Sequence, residues 1–259
     1  MAFWAKGRSV SAAASFDLTV KTYAVFEAVS LALDGKTVLD GISLALSERR
    51  VGIVGLNGSG KSSLARLLNG LRLPTNGKVR LFGADTVSVA AQLPRHVGFV
   101  FQNPDHQAIF PTVEEEIAFG LTQIGHDRTS ARAEAVGFLR RHRCEFLADK
   151  PIATLSEGQK QLVCILAVLV MQPCILVLDE PMTSLDGLAA KRILQKLQSL
   201  DQTLIMVSHD LSALTGFDRI LWLEDGRIRM DGVPGDVLPA YAADLDRRAA
   251  AEVWEGDGL

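Results

Sequence analysis

The sequence predicts an α/β protein with a mostly parallel sheet core, an antiparallel β subdomain before it and an α-helical subdomain inserted into it. Three observations carry that prediction. A glycine-rich loop, Gly55-Leu56-Asn57-Gly58-Ser59-Gly60-Lys61-Ser62, stands between the apolar run Val51-Gly52-Ile53-Val54 and an amphipathic stretch. Short β-type runs at residues 98–101, 174–178, 204–207 and 220–223 alternate with helical stretches, as strands of a parallel sheet do. Residues 112–150 give helix signals and no strand signal.

The elements follow in order. Residues 1–22 hold a short, interrupted apolar segment beside Lys6 and Arg8, which reads as a loosely ordered tail rather than a signal peptide. Between Tyr23 and Leu46, apolar runs are separated by Asp34-Gly35-Lys36 and Asp40-Gly41, the pattern of antiparallel strands with turns. Leu64, Leu67, Leu68 and Leu71 recur at helical spacing behind the glycine loop. Thr112-Val113-Glu114-Glu115 has the form of a capping box, and charged helical sequence runs over 128–143. The inserted helical subdomain is therefore placed at about 112–165. Residues 162–171 are ten apolar residues in a row, too short to span a bilayer and suited to a helix buried on all sides. Glu224-Asp225-Gly226-Arg227 reads as a hairpin turn. The main domain is placed at 23–238, and 239–259 is expected as a tail forming one helix with a frayed end.

Composition narrows the function. A chain of 259 residues with net charge −3 can bury a sizeable core and lacks the basic footprint of a nucleic-acid binder. Cys144, Cys164 and Cys174 form no C-x-x-C pair and suit a reducing compartment.

The loop satisfies G-x-x-x-x-G-K-[ST]. Gly55, Asn57, Gly58, Ser59, Gly60, Lys61, Ser62 and Ser63 are the candidate nucleotide-binding residues. Backbone N–H groups at a helix N-terminus favour a polyphosphate, Lys61 would reach its β- and γ-phosphates, and the Ser62 hydroxyl would help hold Mg²⁺. Ligands of parallel sheets gather at the carboxyl ends of strands, where this chain sets Gln102, Asp179-Glu180 and His209 behind apolar runs. Asp179 is the candidate metal partner opposite Ser62, and Glu180 the candidate base for the attacking water. Ser156 and Gln159 form an S-x-x-Q capping box that a plain helix start would also explain.

Taken in order, GLNGSGKS, Gln102 within FQNPDHQ, LSEGQ, ILVLDE, Ser184-Leu185-Asp186 and His209 resemble the ATP-binding-cassette ATPases over roughly 23–238. The resemblance implies a P-loop NTPase (RecA-like) core that binds ATP with Mg²⁺. It also implies two cassettes closing head to tail. Ser156, Gly158 and Gln159 of one chain would complete the nucleotide site of the other, with Asp186 at the interface. Gln102 would sense metal and water, and His209 would contact the γ-phosphate. With one cassette present, the chain is expected to form a homodimer or to pair with a paralogous subunit. Two positions depart from the family pattern. Glu157 stands where a glycine is usual, and Leu33 stands where an aromatic usually stacks on adenine.

The string from Phe101 through Gly120 is similar to that of ATPases of energy-coupling-factor importers, where it helps form a groove for coupling helices of a transmembrane partner. That resemblance implies an integral-membrane coupling (T) protein, a substrate-binding membrane (S) protein and a place on the cytoplasmic face of the inner membrane. Within the group, the stretch from Glu48 to Gly55 and FQNPDHQ look most like the ATPases of biotin importers, with cobalt or nickel importer ATPases as the first alternative. Soluble cassette ATPases of DNA repair fit poorly, for the helical insert leaves no room for a coiled coil and the charge disfavours DNA. Those of iron–sulfur assembly are opposed by the FQNPDHQ string.

Overall fold

A computed structural model describes residues 16–251. In chain order its elements are β1 (Ala24–Leu33), β2 (Lys36–Leu46), β3 (Arg50–Val54), α1 (Lys61–Leu68), β4 (Asn76–Leu81), β5 (Ala84–Asp85), α2 (Thr86–Val89), β6 (Val97–Val100), α3 (Val113–Gln123), α4 (Arg128–Arg141), α5 (Glu157–Leu169), β7 (Ile175–Asp179), α6 (Gly187–Gln198), β8 (Thr203–Val207), β9 (Arg219–Glu224), β10 (Arg227–Gly232) and α7 (Pro234–Ala251).

Two sheets form. The core sheet has the order β10-β9-β3-β8-β7-β6, parallel except for β10, which pairs antiparallel with β9. A four-stranded antiparallel sheet, β2-β1-β4-β5, is formed largely by the N-terminal strands. Each sheet's turns follow backbone chemistry. Asp34 and Gly35, and likewise Asp225 and Gly226, both take positive φ, which two-residue hairpin turns require.

Side chains of the core strands alternate between two apolar clusters, as a period of two demands. On β7, Ile175 and Val177 face the cluster shared with the antiparallel sheet, and Leu176 and Leu178 face the one shared with the helices. All five residues of β7 are buried, and its first four, Ile175 to Leu178, read as a continuous apolar run ahead of Asp179. From Val163 to Leu169 every residue of α5 is buried, as expected for a helix closed in on all sides.

Several expectations need revision. Asp40-Gly41 is no turn: β2 runs through it as one strand, with Gly41 at φ 65° beside register shifts against β1 that mark a bulge. Helix α1 stops at Leu68 because Gly70 takes φ 77° just beyond it, so Leu71 leaves the apolar stripe and is 49% exposed. At Thr112 only half of the capping box forms. The hydroxyl accepts the Glu115 N–H at 3.4 Å, but the Glu115 carboxylate accepts from the hydroxyl rather than from the backbone. Strands β4 and β5 are additional, because Asn76-Gly77-Lys78 reads as loop until β1 supplies a pairing edge.

The tail expected over 1–22 lies outside the described residues as far as 15. From Phe16 the chain is docked: its ring centroid is 4.3 Å from that of His96, and Asp17 N–H donates to Phe82 O at 2.9 Å. At the other end, the boundary expected after Leu238 falls inside α7, whose Tyr241 is buried against Trp222.

Candidate nucleotide site

The glycine loop leaves the carboxyl end of β3, in the middle of the sheet. Gly55 takes φ 148°, and a Cβ there would stand 2.2 Å from the Leu223 carbonyl oxygen, so only glycine fits. Gly60, at φ 100°, turns the chain into α1. Lys61 is 5% exposed, and its ammonium curls back over the loop to donate to the Gly55 and Leu56 carbonyls at 2.8 and 2.9 Å. Burial holds its pKa below the usual lysine range, opposed by Glu180 and Asp179. The Ser59 hydroxyl is buried without a partner among the described residues.

Strand β7 delivers the carboxylates. Asp179, 3% exposed, accepts from the Ser62 hydroxyl at 2.8 Å and lies 3.6 Å from the Arg66 guanidinium. Burial raises its pKa, against the pull of the Ser62 bond and Arg66. Glu180 follows at φ 51°, a left-handed turn that swings its side chain out of the strand direction. Its Oε1 is 2.7 Å from His209 Nε2, which comes from the end of β8. Its Oε2 accepts from Gln102 Nε2 at 3.3 Å and from the Thr183 hydroxyl at 3.1 Å.

Lys61, Ser62, Gln102, Glu180, Thr183 and His209 line one cleft of about 480 Å³ together with Asn57, Gly58, Ser63 and Val38. Sequence reasoning missed Thr183, Val38 and Arg66. Thr183 sits three residues after Glu180 and was legible in principle, whereas Val38 and Arg66 carry no local signal. Leu33 does not line the cleft; it packs half-buried against the apolar cluster of the antiparallel sheet, and Val38 faces the cleft instead.

Ser156, Gly158, Gln159 and Asp186 do not join this cleft. Ser156 and Gln159 form the full reciprocal capping box of α5, with bonds of 3.3 and 3.1 Å. Asp186 caps α6, accepting from the Leu188 and Ala189 N–H groups at 2.9 and 2.8 Å. A Cβ on Gly158 would stand 2.8 Å from the Ala189 Cβ, so the N-termini of α5 and α6 meet there. Glu157, in the place of the usual glycine, pairs with Lys160, which also holds Asp105 at 2.9 Å. A second, more apolar cleft of about 500 Å³ opens between the segments on either side of β6 and helices α3 and α5, where Arg95, Gln107, Glu116, Phe119 and the 66% exposed Ile109 face it.

A strand–loop–helix phosphate cradle, with a buried aspartate on its serine and a glutamate beside a histidine, defines a P-loop nucleoside triphosphatase. The family model for the ABC transporter matches residues 39–183. The biotin transport ATP-binding protein BioM of Rhodobacter capsulatus is 48% identical over 223 residues, covering 86% of this chain and 95% of that protein. The energy-coupling factor transporter ATP-binding protein EcfA of Syntrophomonas wolfei is 40% identical over 212 residues, covering 79% and 78%. Among solved structures, cbiO1 of Clostridium perfringens, part of the ABC transporter complex cbiONQ, superposes with a TM-score of 0.75 at 29% identity over 90% of this chain and 96% of that one. The chain therefore belongs to the ABC transporter family, as an ATP-hydrolysing subunit of the energy-coupling-factor type. Among the described residues no helix is long and apolar enough to cross a membrane.

Proposed function

We propose that this chain hydrolyses ATP as one half of a head-to-tail dimer on the cytoplasmic face of the inner membrane, energising the import of biotin. One observation carries the dimer. Lys61, Ser62, Glu180, Gln102 and His209 share the cleft, with Asp179 hydrogen-bonded to Ser62, while Ser156, Gly158 and Asp186 gather at a separate meeting of two helix N-termini. Each chain thus carries two different half-sites, and a second copy supplies what the first lacks. A paralogous partner would serve equally.

In this reading the backbone of Gly55 through Ser63 cradles the phosphates, and Lys61 turns from the loop carbonyls to the β- and γ-phosphates. Glu180 takes the proton of the attacking water, with Gln102 and His209 orienting it. The N–H groups at the start of α5, with Ser156 and Gly158, complete the γ-phosphate pocket from across the interface. The Ser62 hydroxyl and the Asp179 carboxylate are hard oxygen donors 2.8 Å apart. They suit Mg²⁺, with Gln102 at the cleft's edge. Bound there, the ion would neutralise charge on the β- and γ-phosphates.

The apolar cleft beside Ile109 is the seat proposed for coupling helices of an integral-membrane T protein, which also joins a substrate-binding S protein. ATP-driven closure then moves those helices. Biotin rests on the likeness to BioM; the cobalt or nickel cargo that the sequence resemblance leaves open is the competing outcome. Detergent extraction of the tagged chain from membranes, with mass spectrometry of co-purifying proteins and bound small molecule, tests the whole reading. A T-like and an S-like membrane protein with biotin is the expected result. A metal cargo would replace the substrate, and a chain that stays alone in the soluble fraction would overturn the transporter role.

A further inference from the structure

Helix α7 carries a buried carboxylate. Asp244 is 4% exposed and gathers three guanidiniums: Arg248 Nε donates at 2.6 Å, Arg229 Nη2 lies 3.2 Å away, and Arg247 pairs with its Oδ1. Burial opposes ionisation, but the Arg248 bond and the three cations together hold the carboxyl below the usual aspartate range. Arg229 and Arg248 also hold Glu224, the last residue of β9. One turn before Asp244, the Tyr241 ring stands edge-on to Trp222 with centroids 5.2 Å apart, and the Gly55 backbone lies against its phenol oxygen.

Some of these groups also border the phosphate loop. Asp244 and Arg248 share a small cleft of about 170 Å³ with residues Leu56 to Ser59. The β9–β10 turn, whose first strand the arginines grip at Glu224, donates its Gly226 N–H to the Ser59 carbonyl at 3.2 Å. A loop with Gly55, Gly58 and Gly60 all at positive φ is costly to hold in one shape by itself. Contacts from outside must order it before its N–H groups can converge on an anion.

We propose that α7 is a brace for the phosphate loop, and that Tyr241 and Asp244 are positioning residues which set nucleotide affinity. The proposal rests on the reading of Gly55 to Ser62 as the nucleotide cradle. It is tested in the full chain with Asp244→Asn, Asp244→Glu and Tyr241→Phe, reading ADP affinity by calorimetry, KM and kcat for ATP, and melting temperature. Asp244→Asn is expected to weaken ADP binding and raise KM at least about five-fold while kcat stays within about two-fold, with most of the loss recovered in Asp244→Glu. Unchanged ADP affinity and KM would overturn the brace. So would losses of kcat and KM that follow the melting temperature and are not recovered by glutamate. If Asp244→Asn does not fold, Tyr241→Phe, which removes one oxygen, is read against the same outcomes. Lys61→Ala separates the two levels. If it keeps its ADP affinity, the cradle assignment fails; if it alone loses ADP, only the brace fails.

Discussion

His209 Nε2 and Glu180 Oε1 lie 2.7 Å apart, although they come from the ends of different strands, β8 and β7. Gln102 and Thr183 take the other carboxylate oxygen, so the side chain is held from three directions before any nucleotide arrives. A carboxylate so fixed has its geometry set in advance, and if it is the proposed base, removing its charge should stop the chemistry without emptying the site.

Glu180→Gln keeps the shape of the side chain and its hydrogen-bonding reach. Phosphate release should fall by at least about a hundred-fold, while ATP stays bound and holds the dimer closed. Size-exclusion chromatography with ATP reads the dimer, and free turnover by this variant would remove Glu180 as the base.

Lys61 supplies the one buried cation of the cradle. Lys61→Ala should abolish nucleotide binding or turnover, measured by ADP titration and phosphate release. Near-normal activity would end the phosphate-loop assignment.

Ser156 has two separable roles, because the structure shows it capping α5. Ser156→Ala removes the cap and should cost about 1 kcal/mol of stability. Ser156→Arg should lose the same cap and also block closure, so ATP-dependent dimerisation falls far below that of the alanine variant at equal melting temperature. Equal dimerisation by the two would take Ser156 out of the interface.

Gly98 on β6 faces α5 so closely that a Cβ would stand 2.2 Å from Val168 Cγ1. Gly98→Ala should cost about 1–3 kcal/mol by overpacking, read as a drop in melting temperature of about 2–4 °C per kcal/mol. An unchanged melting curve would show that α5 shifts freely on the sheet.

His142, at the end of α4, accepts from the Lys196 ammonium of α6 at 2.7 Å. Burial, then Lys196 and Arg141, lower its pKa, so the folded state favours the neutral ring. A group lowered on folding in this way contributes stability above the ordinary imidazole range and loses it as pH falls through the folded value. The melting temperature should therefore drop between about pH 7 and about pH 5. Lys196→Met, which removes the neighbouring charge, should drop less over the same interval; parallel slopes would exclude this pair.

The parts legible in the sequence were those with local causes. The strand before Gly55, the turn at Asp225-Gly226 and the cap at Ser156 each depend on residues a few positions apart. Strands β4 and β5 were not legible, because polar Asn76 to Lys78 becomes strand only when β1 offers its edge. The bulge at Gly41 was taken for a turn because Asp-Gly serves either role until a partner strand pulls the chain straight. Helix α7 looked like a tail because a charged, alanine-rich stretch does not show that Tyr241 and Asp244 will be buried.

By itself, the sequence determined the family of the chain and named the candidate cradle, since the glycines, Lys61, Ser62 and the Asp179-Glu180 pair form motifs of neighbouring residues. Only the tertiary structure decided which residues meet. The order β3-β8-β7-β6 brings Lys61, His209, Glu180 and Gln102 to one edge, and it leaves Ser156 and Asp186 elsewhere. Strand order is a long-range packing outcome, chosen by how two apolar faces are covered at once, and no window of local sequence contains it.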